Sequence, residues 1–131
     1  MFLDASALVA VMVPEPDGDE IAAKLQAADR VVVSPLVIWE SVAAMARVRR
    51  SPVEIAQHSV AMFLSGVGAE IMPIDATIGE AAVAAFARFG KGRHPAALNM
   101  GDCFAYACAR SRGLPLLCKG DDFARTDALL V

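Results

Sequence analysis

Short apolar runs alternate with stretches of helical periodicity along the chain. The apolar runs predict strands at 1–4, 31–33, 70–74 and 114–118, with a fifth expected at 129–131. The stretches between them predict helices at 6–11, 17–28, 35–49, 52–64, 76–89 and 101–112, followed by a helical turn at 122–125. Strands that alternate with helices predict an α/β fold whose central, mostly parallel sheet has four to five strands. No repeat or linker interrupts this pattern, so residues 1–131 are expected to form one domain.

Residues that cap helices stand at several of the predicted helix starts. Ser6, Ser34 and Asp75 each carry a side-chain oxygen that can accept a hydrogen bond from the first turn. The segment Ser51-Pro52-Val53-Glu54 has the spacing of a capping box. These residues predict where four of the helices begin.

Composition and charge exclude several classes of protein. With 56% hydrophobic and 21% charged residues, the chain can bury a core without disulfides, and no apolar run is long enough to span a membrane. Its net charge of −3 argues against a protein that coats nucleic acid by bulk positive charge. Three cysteines without a CxxC pair indicate free, buried thiols rather than a metal site, and hence a reducing cytoplasm.

Acidic residues stand at the ends of apolar segments, where side chains of a parallel sheet meet at one edge. Asp4 follows the first strand, and Asp121 and Asp122 follow the fourth. Glu40 lies within an apolar helix, and Asp102 lies in the first turn of another. Each has a structural alternative, since Asp102 can complement a helix dipole, Asp121 can cap a turn and Glu40 can face solvent.

Several carboxylates in one cleft would repel each other strongly. At an effective dielectric constant near 20, each like-charge pair at 4 Å costs about 4 kcal/mol. Such a cluster persists if some groups are protonated or if a hard cation binds them. Oxygen ligands suit Mg²⁺ or Mn²⁺ rather than Zn²⁺, and Mg²⁺ held by a few carboxylates serves phosphoester chemistry.

Four short motifs, in order along the chain, resemble those of the PIN domain, and most closely the VapC-type ribonuclease toxins. They are Met1–Leu8, the helical Glu40, Asn99–Cys103 and Lys119–Phe123. The resemblance implies a PIN-like three-layer α/β/α sandwich and a Mg²⁺- or Mn²⁺-dependent endoribonuclease. It also implies a homodimer that a small VapB-type antitoxin inhibits.

The resemblance assigns roles to individual residues. Asp4, Glu40, Asp102 and Asp121 match the family's acidic quartet, which implies both catalysis and metal binding. Ser6 matches a small hydroxyl residue that supports the first aspartate. In the family's mechanism the metal orients and deprotonates a water for in-line attack, and Glu40 is our choice for the assisting base.

The fourth acidic position is open between two residues. The motif reads Gly120-Asp121-Asp122-Phe123, and either aspartate can face the metal. Asp121 is favoured, with Asp122 expected to cap the following turn.

Basic residues close to these motifs are candidates for RNA binding. Arg88, Lys91 and Arg93 precede the Asp102 motif, and Lys119 precedes the last acidic pair, so contact with RNA phosphates is expected. Solvated surface charge is the alternative. Trp39 is assigned to the core or to an antitoxin groove rather than to base stacking.

Two other functions fit parts of the pattern. A catalytically silent PIN-like interaction module is one, although an intact acidic quartet argues against it. An aspartyl-phosphate phosphatase also begins with a strand that ends in Asp, but it needs a second acid two residues on, where this chain has Ser6.

Overall fold

A computed structural model describes all 131 residues. Four short strands form the central sheet: β1 (Phe2–Leu3), β2 (Val32–Val33), β3 (Glu70–Ile71) and β4 (Leu116–Leu117). They lie in the order β3-β2-β1-β4, and every pairing is parallel. The predicted α/β class is therefore confirmed, with four strands. The expected fifth strand is reduced to one parallel bridge between Leu116 and Leu130.

Six α-helices surround the sheet, and a 3-10 turn covers Phe123–Arg125. The helices are α1 (Ala5–Met12), α2 (Gly18–Gln26), α3 (Pro35–Arg49), α4 (Val53–Gly66), α5 (Ala76–Phe89) and α6 (Met100–Ser111). Each predicted helix is present, and the bounds differ by a few residues. None of them is long and apolar enough to cross a bilayer.

Two of the predicted helix caps are wrong. Helix α1 begins one residue earlier than expected, because Asp4 and not Ser6 is its N-cap residue: the Asp4 carboxylate accepts a hydrogen bond from the Ser6 amide in the first turn. The capping box at Ser51 does not form, and Pro52 occupies the N-cap position of α4 without a side-chain bond. Ser34 and Asp75 cap α3 and α5 as predicted.

Each strand is only two residues long, although backbone hydrogen bonds between neighbouring segments continue past the strand ends: the Asp4 amide donates to the Leu117 carbonyl, and the Met72 amide donates to the Val33 carbonyl. Val31 and Met72 are buried beside the sheet without belonging to a strand. Pro73 follows Met72 and has no amide hydrogen to donate, which ends β3. The core comprises 32 buried apolar residues, centred on Phe2, Leu3 and the strands beside them.

Two predictions about burial have different outcomes. Cys103 and Cys108 are buried free thiols, as expected, and Cys118 is a half-buried free thiol. Trp39 is 67% exposed, so its assignment to the core is wrong. It lines a surface groove between α3 and α4, together with Ile38 and Val53.

Candidate active site

The strand order creates a natural binding cleft beside β1. The chain builds β1, β2 and β3 in one direction and then crosses back to place β4 on the other side of β1. In parallel sheets, ligands bind outside the carboxyl ends of the strands at this point of reversal. A cavity of about 340 Å³ lies there, and Asp4, Glu40 and Asp102 all line it. The structure thus brings three of the predicted acids together.

Asp4 is held at the end of β1 by its own helix start. It is 5% exposed, and its Oδ2 accepts hydrogen bonds from the Ser6 amide at 2.9 Å and the Ser6 hydroxyl at 2.5 Å. The Ser6 oxygen in turn accepts a bond from the Lys119 amide at 3.0 Å, which links the segments after β1 and β4. Burial raises the pKa of Asp4, and the bonds from Ser6 oppose that rise.

Asp102 is oriented by a capping box at the start of α6. The Asn99 side chain accepts a bond from the Asp102 amide at 3.0 Å, and Asp102 Oδ2 accepts one from the Asn99 amide at 2.8 Å. Burial, followed by the charges of Asp4 and Asp122, raises the pKa of Asp102 to about 6. Asp102 therefore stands in the first turn of α6, as its structural alternative requires, and it also lines the acidic cavity.

Glu40 reaches the same cavity from α3. Its carboxylate lies against Gly101 so closely that a Cβ atom at that position would overlap it. Burial, followed by the charges of Asp4 and Asp102, raises the pKa of Glu40 to about 7. Glu40 is therefore not a solvated residue on an outer helix face.

The two candidates for the fourth acid lie outside the cavity lining, and both are exposed. Asp122 is at the N-cap position of the 3-10 turn but makes no side-chain capping bond. Its charge, unlike that of Asp121, is among those that raise the pKa of Asp102. Neither side chain lines the cavity, so the choice between Asp121, preferred on sequence grounds, and Asp122 stays a prediction.

Two further cavity residues, Glu15 and Asn99, were missed in the sequence. The Glu15 carboxylate forms an ion pair with the Lys119 ammonium, which also lies 3.8 Å from Asp17. The spacing of Asn99 and Asp102 is that of a helix cap and could have identified Asn99. No pattern in the sequence identifies Glu15, which lies in the connection between α1 and α2.

The other predicted RNA-binding residues lie outside the cavity. Arg88 is paired with Asp127 at 3.1 Å, and Asp127 also accepts a bond from the Tyr106 hydroxyl. Arg93 lies over the ring of Phe86, at 5.3 Å from its centroid. Lys91 is exposed and forms no ion pair.

The donor chemistry of the cavity fits a hard divalent cation. Asp4, Glu40 and Asp102 supply oxygen ligands, and none of them forms an ion pair with a lysine or arginine. No group of three acidic, histidine or cysteine side chains is arranged so that it could hold a metal ion. Mg²⁺ is usually bound by one or two carboxylates and completed by water, so the site does not need three.

Comparison with known proteins places the chain in a family. The model of the PIN domain matches residues 1–129. A VapC ribonuclease of Rhizobium meliloti is 44% identical over 96% of this chain and 97% of its own length.

Solved structures share the fold at much lower identity. VapC20 of Mycobacterium tuberculosis, described as a sarcin–ricin loop cleaving toxin, has a TM-score of 0.81 at 17% identity, covering 99% of this chain and 97% of its own. A toxin–antitoxin complex from Klebsiella pneumoniae has a TM-score of 0.74 at 20% identity, covering 99% and 95%. The predicted PIN-like fold is confirmed, and this chain belongs to the PIN-domain family, within its group of VapC ribonucleases.

Proposed function

We propose that this chain is a Mg²⁺- or Mn²⁺-dependent endoribonuclease, the toxin of a toxin–antitoxin pair, and that it cleaves cellular RNA. The observation that carries the proposal is the convergence of Asp4, Glu40 and Asp102 in one open cavity at the carboxyl end of β1. Raised pKa values at Glu40 and Asp102 are typical of groups that handle protons or bind cations. Membership of a family of ribonucleases favours RNA as the substrate.

The chain's own residues have distinct parts in this proposal. Asp4, Glu40 and Asp102, with Asp121 or Asp122 as the fourth acid, would hold the cation through carboxylate oxygens and water. A bound divalent cation supplies charge neutralisation at the phosphate and a more acidic water. Ser6 fixes the Asp4 carboxylate. Glu40, whose pKa is raised to about 7 in the metal-free protein, is our choice for the group that accepts a proton from the attacking water.

We also propose a VapB-type antitoxin and a second copy of this chain as partners. The Klebsiella pneumoniae neighbour is a toxin–antitoxin complex, which supports an antitoxin here. Exposed apolar residues, among them Trp39, Val53 and Val83, provide surface that such partners can cover.

Cleavage of a labelled RNA by the purified protein tests the proposed activity. We expect cleavage in Mg²⁺ or Mn²⁺, its loss in EDTA, and its recovery when excess Mg²⁺ is restored. Asp4→Asn and Asp102→Asn should each lower the rate by at least 100-fold, on the order of the loss of one essential charged group. Asp29→Asn, which changes an exposed aspartate outside the cavity, is the control and should cleave like the unchanged protein.

Circular dichroism and melting temperature would establish that each variant folds. Cleavage that continues in EDTA would refute the metal-dependent mechanism. A folded wild-type protein that cleaves no RNA in either metal would leave the silent interaction module as the better description.

A further inference from the structure

Lys119 is the only basic residue that lines the acidic cavity. Its backbone is attached to the site, because its amide donates to the Ser6 oxygen that itself bonds to Asp4. Its side chain is one-third exposed and extends into the same space as the three acids. The position of this ammonium is therefore coupled to that of the first catalytic carboxylate.

The Lys119 ammonium is already neutralised within the protein. Glu15 also lines the cavity, and its carboxylate pairs directly with Lys119 Nζ. Asp17 adds a second negative charge at 3.8 Å. The cavity thus contains several carboxylates, and its single cation is engaged by one of them.

Glu15 has few interactions that hold it in place. It lies in the connection between α1 and α2, and its side chain is 29% exposed. Lys119 is the only hydrogen-bond and ion-pair partner of its carboxylate. Partly exposed ion pairs of this kind contribute little net free energy, so exchange of one anion for another costs little.

Apart from the cation that the acids would hold, Lys119 is the one positive charge that the cavity offers to an RNA phosphate. A phosphate oxygen and a carboxylate oxygen are both anionic acceptors for an ammonium, and they compete for the same donors. We infer that Lys119 binds a substrate phosphate and that Glu15 is its exchangeable counter-ion, which RNA must displace on binding. This inference rests on the proposed ribonuclease function and adds a residue that sets RNA affinity.

Binding of a fluorescein-labelled 12-nucleotide RNA of mixed sequence, followed by anisotropy in Mg²⁺, tests the exchange. All proteins carry Asp102→Asn so that the RNA stays intact. We expect Glu15→Gln to tighten binding about three- to fivefold, the factor that corresponds to release of one partly exposed ion pair. Lys119→Met should weaken binding and reduce the slope of log Kd against log salt by about 0.7, the value for one ammonium–phosphate pair on a single strand.

The matched control is Asp19→Asn, which changes the net charge equally at an exposed position of α2 without an ion pair to Lys119. The decisive protein is the double variant Glu15→Gln with Lys119→Met, in which the tightening should disappear. The inference is overturned if Glu15→Gln acts no more strongly than Asp19→Asn, or if its effect persists without Lys119.

RNA cleavage by the protein with Asp102 intact is measured in a separate experiment. The ribonuclease proposal and the exchange at Lys119 can therefore be refuted independently. Lysine-dependent tightening without any cleavage would overturn the ribonuclease proposal alone. Cleavage together with an inert Glu15→Gln would overturn the exchange alone. A folded protein that binds no RNA would overturn both.

Discussion

Local interactions decide how each acid in the cavity ionises. Asp4 is almost fully buried and bonded to Ser6, whereas Glu40 is half-buried and lies against the bare backbone of Gly101. Burial and the neighbouring acids therefore raise the pKa of Glu40 to about 7, from an ordinary value of 4.5.

This shift makes the stability of the metal-free protein depend on pH. Between about pH 4.5 and pH 7 the folded protein binds more protons at Glu40 than the unfolded chain does, so the free energy of unfolding falls as pH rises. We expect Glu40→Gln to reduce the loss of melting temperature across this range in EDTA. Glu80→Gln, at an exposed glutamate of α5, should not reduce it, and equal slopes for all three proteins would contradict the explanation.

The fourth acid can be assigned by comparing two adjacent residues. Since the charge of Asp122 acts on Asp102, Asp122→Asn should lower the rate of RNA cleavage more than Asp121→Asn does. Initial rates at saturating Mg²⁺ measure this difference, and melting temperatures control for folding. A larger loss with Asp121→Asn would return the role to the residue preferred from the sequence.

At the scale of elements, the start of α6 positions two acids at once. Asp102 belongs to the capping box of this helix, and Gly101 leaves room for the Glu40 carboxylate that arrives from α3. A Cβ atom at residue 101 would therefore meet the Glu40 carboxylate before any other group and displace it.

Substitution of two helical glycines separates this effect from helix propensity. Gly101→Ala should lower RNA cleavage at least tenfold, because its Cβ overlaps the Glu40 carboxylate, and a small displacement of a catalytic group has a cost on the order of 10- to 100-fold. Gly79→Ala in α5 meets nothing within 4 Å and should leave the rate unchanged while stabilising the helix by about 0.5–1 kcal/mol. Equal rates in the two variants would show that Gly101 has no such role.

At the scale of the whole molecule, the net charge of −3 does not show that acidic and basic residues lie in different places. Acids converge at the end of β1, while most of the predicted RNA-binding residues lie outside the cavity. Arg88 is engaged by Asp127 and holds the carboxyl-terminal segment against α5, whereas Lys91 has no ion pair.

These basic residues should therefore respond differently to charge reversal. Lys91→Glu with Arg93→Glu should weaken RNA binding and reduce the salt slope by about 0.7 for each phosphate that is no longer neutralised, with little change in melting temperature. Arg88→Glu should chiefly lower the melting temperature, since it places two acids together at Asp127. Anisotropy titrations at several salt concentrations and thermal melts test both expectations. An unchanged salt slope in the first variant would identify those residues as ordinary surface charge.

The linear pattern was sufficient for the α/β class and all six helices, and it made Asp4, Glu40 and Asp102 candidates that the structure brings into one cavity. Continuous apolar runs and helical spacing identify elements because burial of apolar side chains depends on residues close in sequence. Asp4 and Asp102 were recognisable since each follows directly on an apolar run or a helix start. The sequence did not show that Asp4 rather than Ser6 caps α1, because both side chains offer an acceptor. The N-cap is the last residue with extended backbone before the helix, and in the structure that residue is Asp4.

Only the tertiary structure decided what lies around those acids. The pairing of Lys119 with Glu15 joins residues 104 positions apart, and the room for Glu40 depends on a glycine in a different helix. The exposure of Trp39 likewise follows from how the elements pack. Sequence patterns indicate which residues are buried and where elements begin. The charged partners across a cleft depend on the order of the strands in the sheet, because that order brings residues distant in sequence to the same edge.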